Sequence, residues 1–216
     1  MKRKKVTTLL TAALAFTMTV CGSSTAIAAS ELTAESKPAT QYTIDANQEV
    51  YALLDFEDTT EFENATKGLL ASPDTLDICD ENGKVVWSQT AYAFLDQDAP
   101  DTANPSLWRD TQLNHIYGLF EVTDGIYQVR GYDMSNVTFI KGDTGWIVVD
   151  PLMSVECAQA AFALVEENLG TFPVKAVIYS HSHVDHFGGV KGIVADRKST
   201  RLNSSHWKQS RMPSSA

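Results

Sequence analysis

The chain has 216 residues and a formal net charge of −10 at pH 7, a length that suits one domain with short flanking segments. Its central part is more acidic, because residues 29–195 contain only eight Lys or Arg and have a net charge of −18. This balance argues against nucleic acid or an anionic membrane surface as a partner. An anionic substrate would need a local cationic site, which bound metal ions can provide.

The N-terminal residues 1–28 have the pattern of a secretory signal. Basic residues directly after the first Met are followed by an apolar stretch over residues 6–20 and by the cleavage pattern Ala26-Ile27-Ala28. We therefore expect export to the periplasm or the extracellular space, with no membrane span after cleavage. Lipid attachment at Cys21 is the alternative, although the residues before it fit a lipoprotein cleavage site poorly. Export would permit a disulfide between the remaining cysteines, and two reduced thiols are equally compatible with the sequence; these cysteines are Cys79 and Cys157.

The segment between the signal and residue 117 predicts only short elements. They are a tether over residues 29–48, a mostly helical stretch over residues 49–71, and a small hairpin or edge element in which the turn 80–83 leads into the apolar run 85–87. Pro100 and Pro105 exclude continuous regular structure over residues 99–107.

The pattern becomes regular after Gly118 and predicts an α/β arrangement. The predicted strands cover residues 119–122, 126–130, 137–140, 146–149 and 174–179. Between the last two strands, Ser154 can cap a helix that ends at Gly170. A strand, helix, strand unit brings the residues after its second strand to the carboxyl edge of the sheet, where ligands collect in α/β folds.

The strongest functional signal is a cluster of three His and one Asp directly after the last predicted strand. Neutral imidazole and carboxylate are the donors that suit Zn²⁺ and related ions. His181 and His183 lie two residues apart, so in extended backbone their side chains point the same way and can bind one ion together. Asp185 and His186 follow a turn and can face a second ion. Two ions roughly 3.5–4 Å apart would share one water and lower its pKa to about 7; the alternative is a His-rich surface loop with adventitious metal affinity.

Other polar residues are weaker candidates. Asp150 ends the strand over residues 146–149 and is a candidate for orienting a ligand His, the alternative being a turn residue before Pro151. His115 has no nearby donors in the sequence and is expected to be a packed or exposed His. Four further residues are possible substrate contacts, each with an ordinary structural alternative, and we do not include them in the site: Arg109, Arg130, Tyr132 and Asn136.

The order His-x-His-x-Asp-His at residues 181–186 resembles the signature of the metallo-β-lactamase superfamily. This resemblance implies an αβ/βα sandwich and two Zn²⁺ ions, the first held by His181 and His183 and the second by Asp185 and His186. No catalytic residue separate from the metal site is expected.

Upstream segments narrow the resemblance to the linear alkylsulfatase branch; they cover residues 104–109, 118–122, 125–136 and 145–152. This branch implies hydrolysis of alkyl sulfate esters, which are small anionic amphiphiles, to an alcohol and sulfate, by a full-length protein that is a homodimer. The alternatives are another hydrolase of the same fold, such as a lactonase or a β-lactamase-like enzyme, and a secreted binding protein on a non-catalytic version of the scaffold.

Residues 196–216 break the pattern, because this polar and basic stretch has no periodicity where the fold should continue. Residues 196–206 and 210–216 match the translation of a common short-read sequencing adapter, with a short variable stretch between them, so we interpret residues 196–216 as an artefact and exclude His206 as a ligand. Residues 49–195 would then be the N-terminal part of the catalytic domain. In the family the remaining metal ligands lie downstream, which implies that the 216-residue chain is inactive while its full-length parent is active.

Overall fold

The computed structural model describes residues 37–194 and the backbone of residues 201–204. The predicted secretory signal over residues 1–28 lies outside the described residues, as do the first part of the predicted tether and most of the C-terminal tail. Within the described part of the chain, no helix is both long enough and apolar enough to cross a membrane.

The N-terminal part consists of short elements. They are α1 (Gln41–Leu53), α2 (Thr60–Thr66), β1 (Leu69–Ala71), β2 (Asp77–Cys79), β3 (Val85–Ser88), a 3-10 helix (Thr90–Asp96) and α3 (Pro105–Asn114). The predicted hairpin is confirmed, because β2 and β3 pair antiparallel across a turn in which Gly83 has a φ of +80°. A positive φ is a conformation that Gly adopts without steric cost.

The predicted helix over residues 49–71 is wrong in its bounds. Helix α1 begins at Gln41, inside the predicted tether, where the Thr40 hydroxyl accepts a hydrogen bond from the Thr43 backbone N–H at 3.2 Å. None of the α1 residues is buried, so this helix has no apolar face that periodicity could reveal. The helix ends at Leu53, and in the segment that follows Asp55 and Asp58 each accept a hydrogen bond from a backbone N–H two residues later and form turns.

The main sheet has the order β1-β4-β5-β6-β7-β8-β9. The predicted strands are confirmed, with the bounds β4 (Gly118–Thr123), β5 (Ile126–Arg130), β6 (Val137–Gly142), β7 (Gly145–Val149) and β8 (Val174–Tyr179). Strands β4 to β7 form an antiparallel meander, whereas β7 and β8 are parallel. The carboxyl ends of β7 and β8 therefore lie at the same edge of the sheet.

Helix α4 (Val155–Leu169) connects β7 to β8 and covers one face of the sheet. The Ser154 hydroxyl caps it by accepting a hydrogen bond from the Cys157 N–H at 3.0 Å, and Gly170 ends it with a φ of +90°, as the sequence predicts. Cys157 is a reduced thiol and is 1% exposed. Burial raises the pKa of the Cys157 thiol to about 12.

Strand β9 (Arg201–Ser204) lies in the C-terminal tail, where the sequence predicts no structure, and pairs parallel with β8. Its register places Arg201 opposite Ala176. Strand pairing uses backbone groups, so an exposed edge such as that of β8 can accept an extended segment with little dependence on its side chains.

Candidate metal centre

The cluster of three His and one Asp lies in the loop that follows β8. We name residues 180–189 the His-rich loop; it includes a 3-10 turn, Val184–His186, and leads into the short helix α5 (Val190–Ile193). The ring centroids of His181 and His183 are 4.6 Å apart, and those of His181 and His186 are 4.1 Å apart. The fold thus brings the three imidazoles together at the carboxyl edge of β7 and β8.

Asp150 connects the ends of these two strands. Its Oδ2 accepts a hydrogen bond from His186 Nδ1 at 2.9 Å, and its Oδ1 accepts one from the Ser180 backbone N–H at 2.7 Å. Its own backbone N–H donates to the Ile178 carbonyl at 2.9 Å. Asp150 therefore makes the contact with a candidate ligand His that the orienting role requires.

The backbone at Asp150 is in the left-handed region, with a φ of +54°, and Leu152 has a φ of +61°. Asp tolerates this conformation, but for Leu it is strained, at a cost of about 1–3 kcal/mol. The Leu152 side chain is 0% exposed, so core packing offsets the strain. Such strain recurs at functional sites, where the surrounding structure holds a side chain in a required direction.

The hydrogen bonds around Ser180 determine which ring nitrogen of His181 carries the proton and which one carries the lone pair. The Ser180 hydroxyl lies 2.5 Å from Asp150 Oδ2, and since an ionised carboxylate only accepts, the hydroxyl donates its proton there. His181 Nδ1 lies 2.9 Å from the same hydroxyl oxygen and must therefore be the donor of that contact. In the neutral ring this leaves the lone pair on His181 Nε2, the atom that can bind a metal ion.

His186, in the second pair of candidate ligands, also presents a ring nitrogen that can bind a metal ion. His186 donates from Nδ1 to Asp150, so its Nε2 carries the lone pair of the neutral ring. That nitrogen lies 3.1 Å from Asp185 Oδ2. Two acceptors at this distance repel each other unless a proton or a cation is shared between them. Neutral imidazole and carboxylate are donors that suit a divalent cation such as Zn²⁺, and such a cation would relieve this repulsion.

The two pairs differ in exposure. His181 and His183 are exposed, whereas the side chains of Asp185 and His186 are 29% and 23% exposed. No group of three or more His, Cys, Asp or Glu side chains within the described part of the chain is arranged to hold one ion. The described residues thus bring the candidate ligands close together without forming a complete site for one ion.

Two of the weaker candidates have structural contacts away from this edge. The Arg109 guanidinium donates to the Phe56 and Asp58 carbonyls and lies 3.5 Å from the Glu61 carboxylate, so it fastens α3 to the segment before it. His115 Nδ1 lies 2.8 Å from Gln89 Oε1, as expected for a packed His.

The other three candidates lie at or after the end of β5. Tyr132 is 3% exposed, and burial raises the pKa of its hydroxyl, which is typical of a core residue. The Arg130 guanidinium lies 4.3 Å from the Phe120 ring centroid, and its Nε donates to Gln128 at 2.7 Å. Burial lowers the pKa of Arg130. Asn136 is exposed.

Three polar residues that contact this region carry no recognisable signal in the sequence. Ser180 bridges Asp150 and His181, as described above. Asp133 is 6% exposed and accepts hydrogen bonds from the Met153 and Ser154 backbone N–H groups. The Ser135 hydroxyl donates to the Asp185 carbonyl, from 50 residues away along the chain.

Comparison with known proteins gives a consistent set of relatives. The model of the metallo-β-lactamase superfamily matches residues 130–208, which include the whole His-rich loop. The linear primary-alkylsulfatase of a Pseudomonas species is 49% identical over 171 residues, which are 77% of this chain and 25% of that protein. The alkyl/aryl-sulfatase of Saccharomyces cerevisiae is 49% identical over 160 residues, which are 73% of this chain and 25% of that protein.

A solved structure supports the same relationship. The inverting sec-alkylsulfatase Pisa1 of a Pseudomonas species superposes with a TM-score of 0.73 at 49% identity, over 78% of this chain and 27% of that chain. The α/β fold inferred from the signature is thereby confirmed as part of the metallo-β-lactamase sandwich, as is the resemblance to the alkylsulfatases. The chain spans about a quarter of the length of the curated relatives that it matches.

Proposed function

We propose that this chain, which belongs to the metallo-β-lactamase superfamily, supplies half of the zinc ligands of a hydrolase that cleaves alkyl sulfate esters. The observation that carries the proposal is the 49% identity to alkylsulfatases from a Pseudomonas species and from yeast. The superfamily is known for metal-dependent chemistry, and the donor set described above suits Zn²⁺.

The roles of the chain's own residues follow from their hydrogen bonds. His181 and His183 would hold one ion, and Asp185 and His186 the other. Asp150 and Ser180 keep the Nδ1 atoms of His186 and His181 protonated, so that each ring presents Nε2 to the site. Bound divalent ions supply Lewis acidity, which polarises an ester oxygen and lowers the pKa of a water molecule towards neutrality.

The charge of the protein supports a metal-dependent mode of substrate binding. Residues 29–195 have a net charge of −18, so their overall field repels an anionic amphiphile such as dodecyl sulfate. Divalent ions at the His-rich loop would reverse the local sign and attract the sulfate group. We further propose that the protein is exported and that the whole protein is a homodimer.

The first test measures the activity of the whole protein that contains residues 37–194. We expect zinc-dependent release of sulfate from dodecyl sulfate, with loss of activity on chelation and recovery when Zn²⁺ is added back. Competing assays with a lactone and a β-lactam separate this proposal from other hydrolases of the superfamily. Faster turnover of either competitor would reject the alkylsulfatase assignment, and zinc binding without turnover of any ester would favour a binding protein.

The second test concerns the metal site. Asp150→Asn should weaken zinc binding about 10- to 100-fold, because the amide disturbs the hydrogen bonds that set the orientation of His186 and Ser180. Asp143→Asn is the matched control, since Asp143 is exposed in the turn between β6 and β7. Competition with a chromophoric chelator measures both affinities. Equal affinities for the two variants would show that Asp150 is only a turn residue.

A further inference from the structure

The connection between β5 and β6 contacts both the N-terminal hairpin and the His-rich loop. We name residues 131–135 of this connection the brace. It begins directly after Arg130, and its contacts reach residues more than 40 positions away in both directions along the chain. Contacts between residues so far apart along the chain fix the relative positions of segments that are remote in sequence.

The N-terminal end of the brace is held by two side chains from the hairpin region. The Gly131 carbonyl accepts hydrogen bonds from Trp87 Nε1 at 2.8 Å and from Gln89 Nε2 at 2.7 Å. Gly131 has a φ of +73°, and a Cβ there would lie 2.5 Å from the Tyr117 Cβ. Only Gly allows this close approach, so the brace is tightly seated against the N-terminal part of the fold.

Asp133 connects the middle of the brace to the segment before α4. Its Oδ1 accepts from the Met134 N–H at 2.7 Å, and its Oδ2 accepts from the Met153 N–H at 3.0 Å and the Ser154 N–H at 3.1 Å. Hydrogen bonds to an ionised carboxylate are stronger than those between neutral groups. Asp133 therefore holds the end of the segment 151–154, which includes the left-handed Leu152.

The glycines of the His-rich loop pack against that same segment. The Gly189 N–H donates to the Leu152 carbonyl at 2.9 Å. A Cβ at Gly188 would lie 2.3 Å from the Met153 carbonyl oxygen, and one at Gly189 would lie 2.3 Å from the Pro151 oxygen. Asp133 thus holds one side of the surface on which the His-rich loop rests.

Ser135 contacts the His-rich loop directly, because its hydroxyl donates to the Asp185 carbonyl. The nearby backbone donors are already used: the Gly188 N–H bonds to the Val184 carbonyl at 2.8 Å, and the Gly189 N–H bonds to the Leu152 carbonyl. Within the described residues, Ser135 is the hydrogen-bond partner of the Asp185 carbonyl. It thereby fixes the peptide that carries a candidate metal ligand.

We propose that Ser135 is a positioning residue, which holds Asp185 ready for metal binding and connects the N-terminal hairpin to the His-rich loop through the brace. The hairpin thus helps to position the metal site although it contributes no ligand. The inference rests on the metal site of the proposed function, but it is independent of which ester the protein hydrolyses.

Hydrogen exchange of the metal-free 216-residue chain tests the positioning itself. Ser135→Ala should accelerate exchange of the His186 and Gly188 amides about fivefold or more, because the 3-10 turn loses its hydrogen bond to the brace. Ser135→Thr keeps the hydroxyl and should restore slow exchange. Ser106→Ala is the matched control, since Ser106 lies on α3, far from the His-rich loop along the chain. Equal exchange in the two Ala variants would overturn the proposal.

Cobalt binding tests the consequence for the metal site. Ser135→Ala should weaken Co²⁺ binding about tenfold or more and alter the visible absorption bands of the bound ion, whereas Ser106→Ala should change neither. An affinity of Ser135→Ala within about twofold of the unsubstituted chain, or an unsubstituted chain that binds no Co²⁺, would overturn the role in positioning a ligand. Cobalt binding that depends on Ser135, in a whole protein that does not hydrolyse alkyl sulfates, would support this inference and reject the proposed function.

Discussion

Across β5 to β8, the two faces of the main sheet carry similar apolar residues but differ in burial. We name the face that α4 covers the covered face; six of its residues in β5 to β8 are 0% exposed, and they are Val129, Val137, Phe139, Trp146, Val148 and Val177. The alternating residues of the same strands form the opposite face, where the aliphatic side chains remain partly exposed: Ile126, Ile140, Ile147, Val149 and Ile178. Both faces have the β-branched residues that favour strands.

This difference shows that residue type selects the strand, whereas the neighbouring layer determines burial. On the covered face, the ring of Phe139 stacks on that of Phe162 in α4, with centroids 5.9 Å apart. Alternating side chains of one strand point to opposite sides of the sheet, so Ile140, next in the chain, lies on the other side. The covered face should therefore contribute most of the stability of the described domain.

Substitution of neighbouring residues in β6 gives the largest expected contrast. Phe139→Ala should lower the free energy of unfolding by about 3–5 kcal/mol, because it leaves a cavity in a filled core. Ile140→Ala should lower it by less than about 2 kcal/mol, since its side chain is partly in water in both states. Urea denaturation monitored by circular dichroism measures both values. Similar losses for the two variants would mean that the opposite face is covered as well.

Alkaline pH should lower the free energy of unfolding through Cys157, a residue of α4 that is buried in the core. Its pKa is about 12 in the folded chain against 9.0 for an ordinary thiol, so the folded state retains a proton that the unfolded state loses. The resulting stability is fully present below pH 9 and is lost as the pH rises towards 12. Between these values Cys157→Ala should make the dependence of unfolding free energy on pH flatter by about 1 kcal/mol per pH unit. If the unfolding free energy of the unsubstituted chain and of Cys157→Ala depended on pH in the same way, the raised pKa of the buried thiol would be contradicted.

The smallest effect is expected at the indole nitrogen of Trp146. This Nε1 is buried and has no hydrogen-bond partner within the described residues, although the ring packs edge-on against Tyr127, Phe139 and Phe172. Trp146→Phe removes the unsatisfied donor and keeps an aromatic ring, so we expect the free energy of unfolding to change by less than about 1 kcal/mol. A loss above about 3 kcal/mol, measured by urea denaturation, would show that packing of the larger ring dominates.

The elements around the candidate site were predictable because their signals are local. Strand β8, the Ser154 cap and the Gly170 stop each depend on a few consecutive residues and on backbone periodicity. The His-rich loop was found in the same way, since its candidate ligands lie within six consecutive residues. Helix α1 gave no such signal, because none of its residues is buried and its start depends on one Thr hydroxyl.

The sequence by itself determined the alternation of strands and helix in the second half of the chain, the position of the candidate ligands after β8, and the family resemblance that the comparisons confirm. Only the tertiary structure decided that Asp150 accepts from His186, 36 residues away, and that Ser135 supports the Asp185 carbonyl, 50 residues away. It also decided which face of the sheet is buried. A periodic pattern reflects residues that are close together in the sequence. These contacts instead depend on how separate elements pack against each other, and no local pattern of residues encodes that packing.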